Sequence, residues 1–434
     1  MGKARCSRWA TALWGKKLMV WLPLVLAWPC QLSAQTTPEE MEYLKSVWYL
    51  DYGFVNYSEN RIQTFNRSAL AHVFEKMRRL EDEGDEKVHI LQIGDSHIQA
   101  DIFSGKVREN FVEDARFPMA GRGLVFPYSA ARTNNPYNYS ARYSGYWEGL
   151  RSVKSRHYSR WGVSGISLET TDAAATIRIN PDLNGASYQT RRIKVLHPGL
   201  EGKSFVPEVV AGPGNAVTSL LQRDGVTEYV LLTPQKTVEI KLKKQQGQDR
   251  FTLQGIMLDN MQPGILYSAV GVNSADVDSY LRCTDLEQNI ALVKPDLVVI
   301  SLGTNDAYMY AFDARRFRQN LAKLVLKIKR AFPQTNVLLT TPADNFRRRR
   351  YPNKNNEEAR QQMLALAQEL DLAVWDFYSV MGGFQSITDW YSSGLAQRDR
   401  LHFTSKGYQL QGQLFYIALD RAYREHRAYM LKGQ

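Results

Sequence analysis

The chain is poor in cysteine, with three in 434 residues, at positions 6, 30 and 283. That excludes a disulfide-stapled scaffold and leaves stability to core packing. Histidine is also scarce, with seven in the chain, so a general base must be sought among few candidates. Internal repeats and low-complexity tracts are absent, which excludes solenoids and biased linkers. Long apolar runs are limited to one, "LMVWLPLVLAWP" at 18–29, and it is short for a comfortable membrane span.

That run follows Lys3, Arg5, Arg8, Lys16 and Lys17 and precedes "QLSAQ", so residues 1–34 read as a secretory signal peptide cleaved after Ala34. A secreted or periplasmic protein with no transmembrane span in its mature chain is therefore expected. A lipid anchor at Cys30 competes with this reading because Cys30 closes the apolar run. Trp28 and Pro29 before it suit an acylation signal poorly. Cleavage after Ala34 removes Cys6 and Cys30 and leaves Cys283 alone.

The formal net charge is +11, and the five basic residues named above, with no acid among residues 1–34, leave +6 on the mature chain. A mild positive balance permits nucleic-acid binding, but no recognised module or repeated basic-aromatic pattern accompanies it, so no nucleic-acid partner is expected. An anionic surface polymer suits an exported basic protein better. With 44% apolar and 23% charged residues the composition is that of a globular protein.

Along the chain, 38–82 reads as interrupted helix and 67–84 as an amphipathic helix, followed by a strand at 88–93. Beyond 112 the texture changes to Gly, Pro, Asn, Ser and Tyr. Short alternating runs follow at 175–180, 191–197, 228–233, 237–244 and 251–260, as in an antiparallel sandwich. Strand and helix alternate again after 262, with strands at 296–303, 336–342 and 373–380 and helices at 314–332, 355–372 and 405–426. The expected fold class is α/β, a doubly wound parallel sheet interrupted by an all-β sandwich-like insertion. Its divisions are 1–34 signal peptide, 35–112 first part of the α/β domain, 113–261 inserted β domain and 262–434 the remainder.

Three polar clusters fall at predicted strand ends, where open α/β sheets bind ligands. The first is "GDSH", Gly94 to His97; the second is "GTND", Gly303 to Asp306. The third, "DRLH", brings Asp399 three residues before His402. A serine nucleophile needs a base. Of the seven histidines His402 has an acid suitably spaced to accept its Nδ1 proton and turn Nε2 toward Ser96. The plain alternative is that Gly, Asp and Ser form a turn and helix cap. Asp95 reads as a turn-fixing residue, and His97 as a packed one, since no companion ligand for a metal stands at suitable spacing.

In this order and at these strand ends, "GDSH", "GTND" and "DRLH" resemble the motifs of SGNH hydrolases, the GDSL esterase superfamily. The resemblance implies a flavodoxin-like sheet, Ser96 as nucleophile, His402 as base and Asp399 as its orienting acid, with no cofactor and no metal. It also implies an oxyanion hole shared by the Ser96 N–H, the Asn305 amide and one backbone N–H near "GVNSA". Relatives often carry "GVNGA" there, and the donor is Gly271 or Ser274. Serine can replace glycine at that point provided the backbone does not need a positive φ.

An exported domain with "GDSH" and a β-rich insertion is similar to bacterial peptidoglycan O-acetylesterases with a carbohydrate-binding-module-like insertion. The implied partner is an acetylated polysaccharide or peptidoglycan. Two rival functions stand beside it: a glycan O-acetyltransferase using the same triad, and a non-catalytic glycan-binding protein in which the β insertion acts and the triad is vestigial. Tyr128, Tyr137, Tyr139, Tyr143, Tyr146 and Trp147 are either a sugar-stacking platform or core of the β segment. Arg347 to Arg350 are either a solvated loop or a contact for an anionic glycan.

Overall fold

A computed structural model of the chain describes residues 52–432, apart from 183, 184, 186, 187, 200 and 201. The signal peptide at 1–34, its cleavage point after Ala34, and Cys6 and Cys30 lie outside the described residues.

The central sheet has six strands: β1 (Ile62–Thr64), β2 (Lys87–Gly94), β3 (Gly264–Gly271), β4 (Leu297–Ser301), β5 (Asn336–Thr340) and β6 (Ala373–Trp375). Their spatial order is β1-β6-β5-β4-β2-β3. All neighbours run parallel except β1, which pairs antiparallel with β6 at the edge. The parallel strands are almost continuously apolar because helices cover both of their faces; every residue of β3 is buried.

The helices are amphipathic in the matching sense. Helix Ala314–Ala331 buries Phe317, Leu321, Leu324, Val325 and Ile328 on one side, and the Asp313 carboxylate caps it by accepting from the Arg316 N–H. It packs against Leu286–Val293 and Asn355–Leu370, whereas Phe103–Glu113 and the closing helix Ser405–Lys432 pack on each other. Among the described residues no helix is long and apolar enough to cross a membrane.

Between β2 and β3 in sequence lie three antiparallel sheets. One has five strands, ordered Val217–Arg223, Val226–Gln235, Thr190–Leu196, Gly255–Asp259 and Gly123–Val125; the others have four and three. Here burial alternates, as at Thr176–Asn180, where Ile177 and Ile179 are buried and Arg178 is exposed. The parallel strands thus take a doubly wound, flavodoxin-like order, with a β insertion between the first two. The insertion does not keep a separate core: buried residues run continuously from Leu91 and Ile93 through Leu124 and Phe126 to Ile193 and Ile240.

Three elements differ from the sequence reading. The strand expected at 373–380 stops at Trp375, because the Asp376 side chain caps a short helix, Phe377–Val380, by accepting from the Ser379 N–H. The run 251–260 is two strands, Phe251–Leu253 and Gly255–Asp259, in different sheets. The buried side chain of Gln254 between them donates to Arg160 O and to Asp285. Within the interrupted helix read at 38–82, Ile62–Thr64 is an edge strand held by pairing with β6.

Candidate active site

The site is built where β2 meets the short helix Ser96–Gln99. Asp95 caps that helix, its Oδ1 accepting the His97 N–H at 2.9 Å. Being the first residue of the helix, Ser96 has a backbone N–H with no intrahelical acceptor. The turn is pressed between neighbouring strands. A Cβ on Gly94 would lie 2.8 Å from Ser301 O, and one on Gly271 would lie 2.5 Å from Asp95 O. Glycine at both places lets β3 and β4 approach the Ser96 turn closely.

The loop before the closing helix brings the other two expected groups to Ser96. Ser96 Oγ lies 3.1 Å from His402 Nε2. His402 Nδ1 lies 2.7 Å from Asp399 Oδ2, and Asp399 Oδ1 accepts the N–H groups of Leu401 and His402 at 3.0 Å each. Burial alone would raise the Asp399 pKa, but the His402 ring and these backbone donors hold it down at about 2. The same hydrogen bond to Asp399 raises the His402 pKa above its ordinary value, against the opposing effect of burial. The carboxylate is therefore charged at neutral pH and holds the ring with Nε2 toward the serine.

Ser96, His402, Asn305 and Ser274 line one cleft of about 450 Å³. The Asn305 amide Nδ2 donates to Ala275 O at 2.9 Å and, at a longer 3.2 Å, to Asp95 Oδ2. Gly271 must be struck from the candidate oxyanion donors. Its N–H donates to the Tyr128 hydroxyl at 3.0 Å, and that hydroxyl donates back to Gly271 O at 2.9 Å, so both polar groups are taken in the interior. Ser274 is left as the backbone candidate, and its N–H makes no hydrogen bond among the described residues. Its φ of 69° lies in the left-handed region, so serine occupies a conformation that a glycine would adopt freely.

Around the triad, burial sets two further protonation states. Asp95 is buried, which pushes its pKa up to about 7 against the His97 N–H bond and the nearby His402 charge. Burial, then the proximity of His402, lowers His97 to about 3. The neutral His97 ring stacks on His402 with centroids 5.2 Å apart, and its Nδ1 is 2.8 Å from the Tyr408 hydroxyl. Among the described residues no group of three or more His, Cys, Asp or Glu is arranged to hold a metal ion.

Residues 253–410 match the model of the GDSL-like lipase/acylhydrolase family. The chain carries a GDSL-like acylhydrolase domain and is a serine hydrolase of the esterase kind. Among solved structures, the hydrolase is similar to a peptidoglycan O-acetylesterase, with 21% identity and a TM-score of 0.69 over 84% of this chain and 99% of that one. A lipase/acylhydrolase from Enterococcus faecalis matches at 26% identity and a TM-score of 0.29, covering 36% of this chain and 74% of its own. An acetylxylan esterase from Geobacillus stearothermophilus matches at 21% identity and a TM-score of 0.30, with 36% and 73% covered. No curated protein sequence matches the chain.

Several residues of the hydrolase's cleft carried no signal in the sequence. Asn134, from the β insertion, lines it, as do Asn273, Gln397 and Tyr408. Asn134 is joined to the helix that bears Ser96 through Gln99, whose Nε2 donates to Asn134 Oδ1 at 3.0 Å, and Gln99 Oε1 accepts the Asn273 N–H at 2.8 Å. The aromatic cluster of the insertion divides: Tyr128, Tyr139 and Trp147 are buried, whereas Tyr137, Tyr143 and Tyr146 are exposed.

Proposed function

We propose that this hydrolase is exported and removes O-acetyl groups from a cell-wall or surface glycan through an acyl-serine intermediate. The observation that carries the reading is the hydrogen-bonded chain from Ser96 through His402 to Asp399, opening into a cleft large enough for a sugar unit. Ser96 Oγ attacks the ester carbonyl while its proton passes to His402 Nε2. The tetrahedral intermediate collapses by breaking the bond to the sugar oxygen, which receives that proton. Water, deprotonated by His402, then attacks acyl-Ser96 and releases acetate.

The Ser96 N–H, the Ser274 N–H and the Asn305 amide are the donors for the oxyanion. Asn305 would turn toward it the hydrogen now held by the longer contact to Asp95. Acetyl and glycan as the groups acted upon are supported by the likeness to the peptidoglycan O-acetylesterase over nearly the whole of that chain. Export is supported by the basic residues and apolar run of 1–34.

Acetate release from a small acetyl ester and from O-acetylated peptidoglycan, compared between the protein and Ser96→Ala, tests this reading. Release from both, lost in Ser96→Ala and favouring the glycan, is expected. Release from the small ester alone rejects the glycan, and release only when a sugar acceptor is added turns the reaction into acetyl transfer.

A further inference from the structure

Next to the cleft lies a cluster of arginines that no carboxylate among the described residues neutralises. A two-stranded hairpin, Phe346–Arg347 with Tyr351–Pro352, follows β5 and carries Arg347 to Arg350, the last three exposed. Two hydrogen bonds fasten it to elements of the site. The Phe346 N–H donates to Arg400 O at 2.9 Å, within the loop of Asp399 and His402. The Arg348 N–H donates to the Tyr308 hydroxyl at 2.9 Å, and Tyr308 ends the short helix that bears Asn305.

A merely solvated loop accounts for exposure but not for three further features. First, the cations are stacked on rings: Arg347 and Arg348 lie 4.8 and 5.4 Å from the centre of exposed Tyr310, and Arg400 lies 5.0 Å from Phe346. Stacking pre-orients a guanidinium and leaves its N–H edge open to a ligand. Second, none of these arginines has an ion-pair partner among the described residues. Arg318 and Arg360, by contrast, pair with Glu369 and Asp376. Third, Arg348, Arg349 and Arg400 have φ of 50°, 65° and 52°. Left-handed backbone costs a residue with a side chain free energy, and such strain collects at binding sites.

We propose that Arg347 to Arg349 and Arg400 form an anion subsite at the rim of the cleft, taking the carboxylate of an acidic sugar unit in the glycan whose ester is cleaved. The planar guanidinium edge matches a carboxylate in two parallel hydrogen bonds, and the attachment of the hairpin to both the Asp399 loop and the Asn305 helix sets the subsite beside the ester. This inference rests on the glycan esterase reading and adds the charge of the substrate.

The test compares the protein with Arg348→Gln/Arg349→Gln and Arg348→Lys/Arg349→Lys on a small acetyl ester, acetylated dextran and acetylated oligogalacturonate. Glutamine at both positions is expected to raise KM for the acidic glycan about tenfold with kcat kept, to leave the two neutral substrates unchanged, and to be partly rescued by lysine. An unchanged KM on the acidic glycan, or an equal rise on dextran, overturns the subsite. Should the protein release acetate from no glycan, the glycan reading itself fails. Calorimetric titration of unacetylated oligogalacturonate then decides the subsite: binding lost in the glutamine variant supports it, and no binding, binding unaffected by the variant, or binding of inorganic phosphate alone overturns it.

Discussion

The parallel sheet and the β insertion solve the same packing problem in opposite ways. β2, β3, β4 and β5 bury nearly every residue because both faces are covered, so polar side chains within them, such as His89, Gln92 and Ser268, are tied up internally and those free to meet a ligand stand at the strand ends. The insertion strands bury alternate residues and keep a wet face, as Val238–Lys243 does. One region therefore concentrates its chemistry at an edge, and Ser96, Asn305, Asp399 and His402 all stand there. The other contributes support: Tyr128 holds Gly271, and Asn134 holds Gln99 and Asn273. The difference predicts that substitutions at the edge change turnover with little loss of stability, and that those in the support do the reverse.

The largest effect falls on the triad. Asp399→Asn is expected to lower kcat by roughly 10³- to 10⁴-fold with the urea midpoint nearly unchanged, because the imidazole loses its orienting acceptor. A large loss of stability with retained turnover would break the comparison at its strongest point. The same hydrogen bond raises the His402 pKa, and in the proposed mechanism the neutral ring is the base, so kcat/KM is expected to fall as pH drops through that raised value. The acid limb of the pH profile is therefore expected above about pH 6.5, the ordinary histidine value. In Asp399→Asn the residual activity should show that limb moved to lower pH.

Asn305→Ala comes next, with an expected fall in kcat of about 10²-fold and little change in KM, as for the loss of one oxyanion donor. A rise in KM alone would make Asn305 a substrate-binding group instead. In the support, Tyr128→Phe leaves the buried Gly271 N–H and C=O without their shared partner. A loss of about 2 kcal/mol in urea unfolding is expected, with kcat reduced by less than about threefold. A tenfold fall in kcat at full stability would show that the insertion takes part in the chemistry. The smallest effect belongs to Ser274→Gly. Relief of the left-handed serine and the greater freedom of glycine when unfolded nearly cancel, so stability should change by less than about 1 kcal/mol with turnover kept.

Legibility in the sequence followed the same division. The strand ending in Gly94-Asp95-Ser96 and the helix at 314–331 were readable because period and caps are local. So was the pairing of Asp399 with His402, three residues apart. The strand read across 373–380 failed where Asp376 offered a cap that the apolar run concealed. Gly271 and Ser274 were equivalent as donors until Tyr128, distant in the chain, was found on one of them.

By itself, then, the amino-acid order determined the alternation of strand and helix, the place of the β insertion and the choice of Ser96, His402 and Asp399 as the candidate triad. These rest on hydrophobic period and on polar clusters at strand ends, which short stretches of chain carry whole. Only the tertiary structure decided which N–H groups remain open, that His97 stacks on His402, that Asn134 enters the cleft, and that five arginines beside it have no ion-pair partner among the described residues. Each of those depends on a neighbour far away in sequence, and the availability of a hydrogen-bonding group is a property of everything packed around it.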